Sequence, residues 1–242
     1  MEDNTMKKII LSTASIAALI LAASCNKQAL PTGNGISDEV KFTASIDEEV
    51  SKSLLVDGGK VNWEDTDHVY INRYSRFSVR PQDPATKADL ILEDGYMEPV
   101  APYEAIYPSG LCVDGEYILP ETQLYSEGKF NAPMYAAGNS GSLSFKNICG
   151  VISLSLKGED KIKSITVKAN GEPISGAFYI IEGTDDKMSM KQGGGQTVTL
   201  DCGEGAQLNM STPKKLYIYL PPKVYSAGMT FTIINSNNKP SV

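Results

Sequence analysis

Catalytic and metal-binding side chains are scarce in this 242-residue chain, which has one histidine, one tryptophan and four cysteines. Any Ser-His-Asp or Cys-His arrangement would have to be built around that one histidine, His68. No Cys-x-x-Cys pair and no Cys/His metal spacing occurs, so the expectation is a protein that is not an enzyme and takes no cofactor or metal. Arginine is confined to Arg73, Arg76 and Arg80, and no basic tract exists. A formal net charge of -7 and a sequence pI of about 4.9 leave no electrostatic footprint for nucleic acid. An interfacial helix on anionic lipid has equally little support. After the N-terminal segment no stretch carries apolar residues at i, i+3, i+4 and i+7 over three turns, which argues against helices.

What is present begins with an export signal. Met6-Lys7-Lys8 is followed by an apolar run from Ile9 to Leu21 and then by Ala22-Ala23-Ser24-Cys25. A basic start, an apolar core of about 7–15 residues and small residues before a cut site make a secretory signal. The run is shorter than the roughly 20 residues a membrane-spanning helix needs. Glu2 and Asp3 sit badly in a basic region, so translation is expected to start at Met6. Residues 1–25 therefore read as a lipoprotein signal, with the Cys25 thiol accepting a diacylglycerol (palmitate-type) anchor. Leu21 stands one place earlier than the usual lipobox leucine, so an ordinary cleaved signal followed by cysteine is the alternative. Asn26 after the cysteine favours the outer membrane or cell surface over inner-membrane retention. Cys112, Cys149 and Cys202 remain, and at most one internal disulfide can form among them. Cys149, inside an apolar run, reads as a small buried hydrophobe.

Residues 26–38 are polar with Pro31, Gly33 and Gly35, a flexible tether. Beyond them the period is close to two. Val40, Phe42, Ala44 and Ile46 alternate with Lys41, Thr43 and Ser45, the pattern of a half-buried strand. Short strands are expected at Val61–Trp63, His68–Ile71, Phe77–Val79, Ala88–Leu92, Tyr103–Tyr107, Ile148–Leu156, Ile162–Ala169, Ala177–Ile181, Thr197–Leu200, Leu216–Leu220 and Thr230–Ile234. Many short strands between Gly/Pro/Asn/Asp turns predict an all-β protein of sandwich type. Lys157-Gly158-Glu159-Asp160 divides it into 39–157 and 158–242, the second part short or truncated; the same residues could equally be a hairpin turn.

Weaker constellations carry two readings each. Glu64-Asp65-Thr66-Asp67 beside His68 is an acid/base or metal cluster, or a turn whose carboxylates take backbone N–H groups. Gly193-Gly194-Gly195 lacks the lysine and helix of a phosphate loop and reads as a hairpin tip. Tyr70, Tyr74, Tyr103, Tyr107, Tyr217 and Tyr219 could stack on sugars, although tyrosine is also a good strand residue.

Five stretches carry a resemblance: Val40 to Ser53, Val61 to Ile71, Tyr103 to Gly110, Leu119 to Gly138 and Ser144 to Gly158. Their order, with Trp63-x-x-x-Asp67, Tyr103-x-Ala105-x-Tyr107-Pro108, Leu119-Pro120-x-x-Gln123 and Pro133-Met134-x-Ala136, resembles the fimbrillin-like family of type V pilus subunits and related surface lipoproteins. The resemblance implies two transthyretin-like β-sandwiches in tandem, no catalysis, and assembly by strand exchange or adhesion with other pilus-like subunits. It implies that the first strand (Val40, Phe42, Ala44, Ile46) is removed by a protease, usually one cutting after arginine. No arginine lies between Val40 and Val61, so Lys52 is the candidate maturation site. That departure, with the short second part, points to an anchor-like or accessory subunit, held to the outer membrane by its lipid. The competing expectation is a lipid-anchored glycan-binding protein of a nutrient-uptake system, meeting a host or bacterial surface ligand through its tyrosines.

Overall fold

The computed structural model describes residues 40–47, 62–96, 100–127, 130–183, 186–237 and 240–241. In chain order the strands begin with β1 (Phe42–Ile46), β2 (His68–Ile71), β3 (Ser75–Pro81), β4 (Lys87–Asp94) and β5 (Tyr103–Tyr107). A turn of 3-10 helix, Ser109–Leu111, leads to β6 (Cys112–Val113), β7 (Glu116–Leu119) and β8 (Thr122–Leu124). Next come β9 (Met134–Gly138), β10 (Ser142–Asn147), β11 (Gly150–Leu156), β12 (Lys161–Ala169), β13 (Gly176–Ile181) and β14 (Lys187–Met190). The last four are β15 (Thr197–Gln207), β16 (Lys214–Leu220), β17 (Met229–Asn235) and β18 (Pro240–Ser241). The described residues are thus all-β, in several sheets, as their period of two predicts.

Seven strands close a barrel in the order β1-β10-β9-β5-β2-β3-β4. Its pairs are antiparallel except for β1 and β10, which run parallel. Closure matters because an open edge would present unpaired N–H and C=O groups to any passing strand. Alternate residues fill the inside: Val69 and Ile71 of β2, Phe77 and Val79 of β3, and Leu143 and Phe145 of β10 are all buried there. Two strands are buried on both sides. Tyr103, Ala105 and Tyr107 of β5 face the barrel core, while Ile106 belongs to a second cluster outside it. Met134 and Ala136 of β9 face inward, and Tyr135 joins Ile106 outside.

Against that outer face lies a four-stranded sheet, β14-β13-β7-β6, which supplies Tyr117, Leu119, Phe178 and Met188 to the second cluster. The remaining sheets are a pair, β11-β16, and a five-stranded sheet, β18-β17-β12-β15-β8. They enclose a third core, in which Leu216, Ile218 and Leu220 of β16 meet Ile165 and Val167 of β12 and Val198 and Leu200 of β15. A bulge between Ile162 and Ser164 lets both Ile162 and Ile165 point into this core although they are three apart.

Several local expectations change. Asn62 and Trp63 lie outside any strand, although Trp63 is 2 % exposed. Trp63 is held by a core pocket rather than by a ladder, which sequence period cannot reveal. β15 runs on from Leu200 to Gln207 through Gly203 and Gly205, residues that usually end a strand. There the pairing to β12 skips from Asp201 to Ala206, so the glycines sit in an irregular excursion. At Lys157 the chain passes from the β11-β16 pair to the five-stranded sheet. β11 before it and β12 after it both belong to the C-terminal sheets, and β6 to β8 pair there as well.

Candidate functional site

The first strand, the candidate for exchange, is inserted between two partners. β1 pairs parallel with β10 (Ala44 opposite Leu143) and antiparallel with β4 (Ala44 opposite Ala88). Phe42, Ala44 and Ile46 are buried in the barrel, and Val40 packs partly buried against the same core. Phe42 meets Phe77 and Tyr103 edge to face, with ring centroids 5.4 and 4.9 Å away. The backbone is secured at both ends. Thr43 N–H donates to the Gly141 carbonyl at 2.8 Å, Ile46 N–H to the Thr86 carbonyl at 2.9 Å, and Asp47 N–H to the Phe145 carbonyl at 2.9 Å.

Entry of the strand requires a glycine. A Cβ at Gly141 would lie 2.1 Å from the Lys41 carbonyl oxygen and 3.1 Å from Val40 Cγ1, so the turn before β10 can approach the start of β1 only without a side chain. This residue was missed in the sequence, where Asn139-Ser140-Gly141 signals only a turn.

The Trp63-x-x-x-Asp67 turn adds Trp63 to the same barrel core. Trp63 stands perpendicular to Tyr107 and near-perpendicular to Phe145, each 5.2 Å away between centroids. The buried Asp67 carboxylate accepts the Tyr107 hydroxyl at 2.9 Å and the Glu64 N–H at 2.8 Å. Burial first, and the Asp67 carboxylate second, push the Tyr107 hydroxyl well above the usual tyrosine range. Asp67 therefore takes a backbone N–H within its turn, while Glu64 and Asp65 are exposed. His68 points elsewhere: its Nε2 lies 3.2 Å from Glu93, with Arg76 on the same carboxylate at 3.8 Å. Among the described residues no group of three or more His, Cys, Asp or Glu is placed to hold a metal ion.

The other motif residues have structural positions. Gln123 of β8 is buried; its amide nitrogen donates to the Tyr219 carbonyl at 2.7 Å, and its oxygen accepts the Tyr219 N–H at 3.1 Å, tying β8 to β16. Tyr103 and Tyr107 are core, Tyr70, Tyr217 and Tyr219 are half-buried, and Tyr74 is exposed. Cys112, Cys149 and Cys202 are free buried thiols, and burial pushes Cys202 up to about 11. The Gly193–Gly195 segment leaves β14, and Gly195 pairs with Ser175 in an isolated bridge. Cys25 and Lys52 lie outside the described residues.

β1 thus lies between β10 and β4, with its apolar face in the barrel core. Without β1, β10 and β4 would each expose a strand edge, and the space of Phe42, Ala44 and Ile46 would become an apolar groove between them. Comparison with protein-family models, with curated proteins and with solved structures finds no match for this chain.

Proposed function

We propose that this chain is a non-catalytic structural subunit of a type V pilus-like cell-surface assembly, anchor-like or accessory rather than stalk-forming. In this reading it is lipid-anchored at Cys25 in the outer membrane, and its sheets are two transthyretin-like sandwiches in tandem. The observation that carries it is β1. This short apolar strand is paired on both sides in a closed barrel, and residues 47–67, which include Lys52, separate it in sequence from the next barrel strand.

The physics of that position favours exchange only with a replacement. Burying a large apolar side chain stabilises by about 1.5–3 kcal/mol, and β1 buries Phe42 and Ile46 together with the smaller Ala44. Losing it costs several kcal/mol of the roughly 5–15 that hold a domain together. A subunit that sheds β1 must gain another strand; one that keeps it ends a chain or stands alone. The absence of arginine from Val40 to Val61 supports the second case. Mass spectrometry of the N-terminus of surface-purified protein tests the reading. A lipidated Cys25 with β1 retained is expected. A mature form beginning at Ser53 and assembled into fibres would restore a stalk subunit, and an unprocessed Met1 or Met6 terminus would overturn the surface reading altogether.

A further inference from the structure

The corner where the β2–β3, β4 and β6–β7 turns meet displays two tyrosines outward on a backbone held in unusual conformations. Tyr74 is 71 % exposed and Tyr96 is 77 % exposed, although large aromatics normally seek cover. Tyr74 ends the β2–β3 turn, and Tyr96 follows β4 immediately after Gly95. Their backbones are in contact. A Cβ at Gly95 would lie 2.5 Å from the Tyr74 carbonyl oxygen, and the Ser75 hydroxyl donates to the Tyr96 carbonyl at 2.7 Å. The Tyr74 ring is backed by Gly115, where a Cβ would come within 2.6 Å of it.

Among the described residues, the non-glycine positions with left-handed backbone are Asn72, Arg73 and Asp114, at φ 49, 68 and 50°. All belong to the two turns that carry and back Tyr74. Asp114 with Gly115 makes a two-residue hairpin loop, where positive φ is usual; at Arg73 such a conformation persists where surrounding contacts over-determine it. Here the contacts are present. The Cys112 thiol donates to the Arg73 carbonyl at 3.2 Å, and the Arg73 guanidinium lies 4.2 Å over the Tyr117 ring and donates to the Gly115 carbonyl at 3.3 Å. The frame is fixed from beneath while the two rings face water.

We infer that this corner binds a neutral carbohydrate, with Tyr74 and Tyr96 receiving the C–H faces of sugar rings. The ligand class follows from the corner's chemistry. Tyrosine supplies a rigid surface with only two torsions to freeze, so little ordering entropy opposes binding. A ring fixed by its own frame lowers that cost further. Exposed carboxylates nearby are Glu93, Asp94, Asp114 and Glu116, while the half-exposed cations Arg73 and Arg76 are each paired, with Glu104 and Glu93. Carboxylates accept hydrogen bonds from paired sugar hydroxyls and repel uronic, sialic or sulfated sugars. Arg73 lies over the Tyr117 ring and 3.7 Å from Glu104, and Arg76 lies 3.8 Å from Glu93, so both cations are already matched by a carboxylate. This site does not depend on exchange of β1, and its test uses the purified protein alone.

Affinity electrophoresis through gels containing mannan, laminarin or xylan, against gels containing polygalacturonate or heparin, measures it. Retardation by at least one neutral polysaccharide and none by the acidic ones is expected. Tyr74→Ala and Tyr96→Ala should each weaken the interaction by about tenfold or more with an unchanged thermal midpoint, and Tyr74→Phe should retain it. Three outcomes overturn the inference: no retardation by any neutral polysaccharide, retardation by the acidic ones instead, or full retention of binding by both alanine variants. Saturable binding of a proline-rich or aromatic peptide at this corner, without sugar binding, would assign it to a protein partner and reject the carbohydrate.

Discussion

At Gly141 the absence of one methyl group decides whether β1 can lie down. Gly141→Ala forces a carbon toward the Lys41 carbonyl, and overpacking of this kind costs about 1–3 kcal/mol. We expect a lower thermal midpoint together with faster hydrogen exchange at the Thr43 amide, whose partner is the Gly141 carbonyl. A lower midpoint with the Thr43 amide still protected would place the damage outside β1. Tyr107→Phe keeps the ring against Trp63 but leaves the buried Asp67 carboxylate short of a donor. That loss is worth about 1–3 kcal/mol in denaturant unfolding. His68→Ala removes only a part-exposed pairing with Glu93, so the same measurement should show less than about 1 kcal/mol. These three sites differ in how visible they are in sequence. Trp63 and Asp67 could be marked by their spacing, but the partner that makes Asp67 structural, Tyr107, lies forty residues away.

Strands whose two faces differ were legible as strands. β1, β2 and β16 alternate, and these three, with β5 and β12, lie within a residue or two of the bounds their sequence predicts. β7 to β10 were not anticipated as strands. β8 is three residues long, β9 is apolar almost throughout because both faces are covered, and β7 finds its partner in β13, far along the chain. Period carries no information about such distant pairings, so the closed barrel itself was not legible. For β1 the element-scale expectation is direct. Phe42→Ala should cost about 3–5 kcal/mol and Ile46→Ala about 2–5 kcal/mol, by equilibrium unfolding. Digestion of the folded protein with an arginine-specific protease should produce no new N-terminus between Val40 and Val61; one found there by sequencing would have to come from another enzyme.

For the whole molecule, stability should fall on the alkaline side. Tyr107, Tyr117, Tyr135 and Tyr219 have hydroxyls raised above their ordinary value of 10, burial being the first cause in each. Buried Cys202 is raised from 9 to about 11, again mainly by burial. The unfolded chain releases these protons between about pH 9 and 10 while the folded chain keeps them, so this stability is whole below pH 9 and is lost as pH rises toward the folded values. Tyrosinate absorbance and circular dichroism followed together should show ionisation of these tyrosines coinciding with unfolding; free titration near pH 10 in a folded protein would contradict it. The proposed lipid anchor has its own test: Cys25→Ser should abolish fatty-acyl labelling and membrane retention in cells. The path of the backbone has a mechanical corollary. From β5 the chain leaves the barrel for β6 to β8, returns for β9 and β10, and leaves again with β11, so three covalent passages join the barrel to the C-terminal sheets. A tether between two bodies stretches at its weakest single linker, whereas here a pull is divided among three. Under tension, the barrel and the C-terminal sheets would therefore have to strip β7 from β13 and β8 from β15 before they could part.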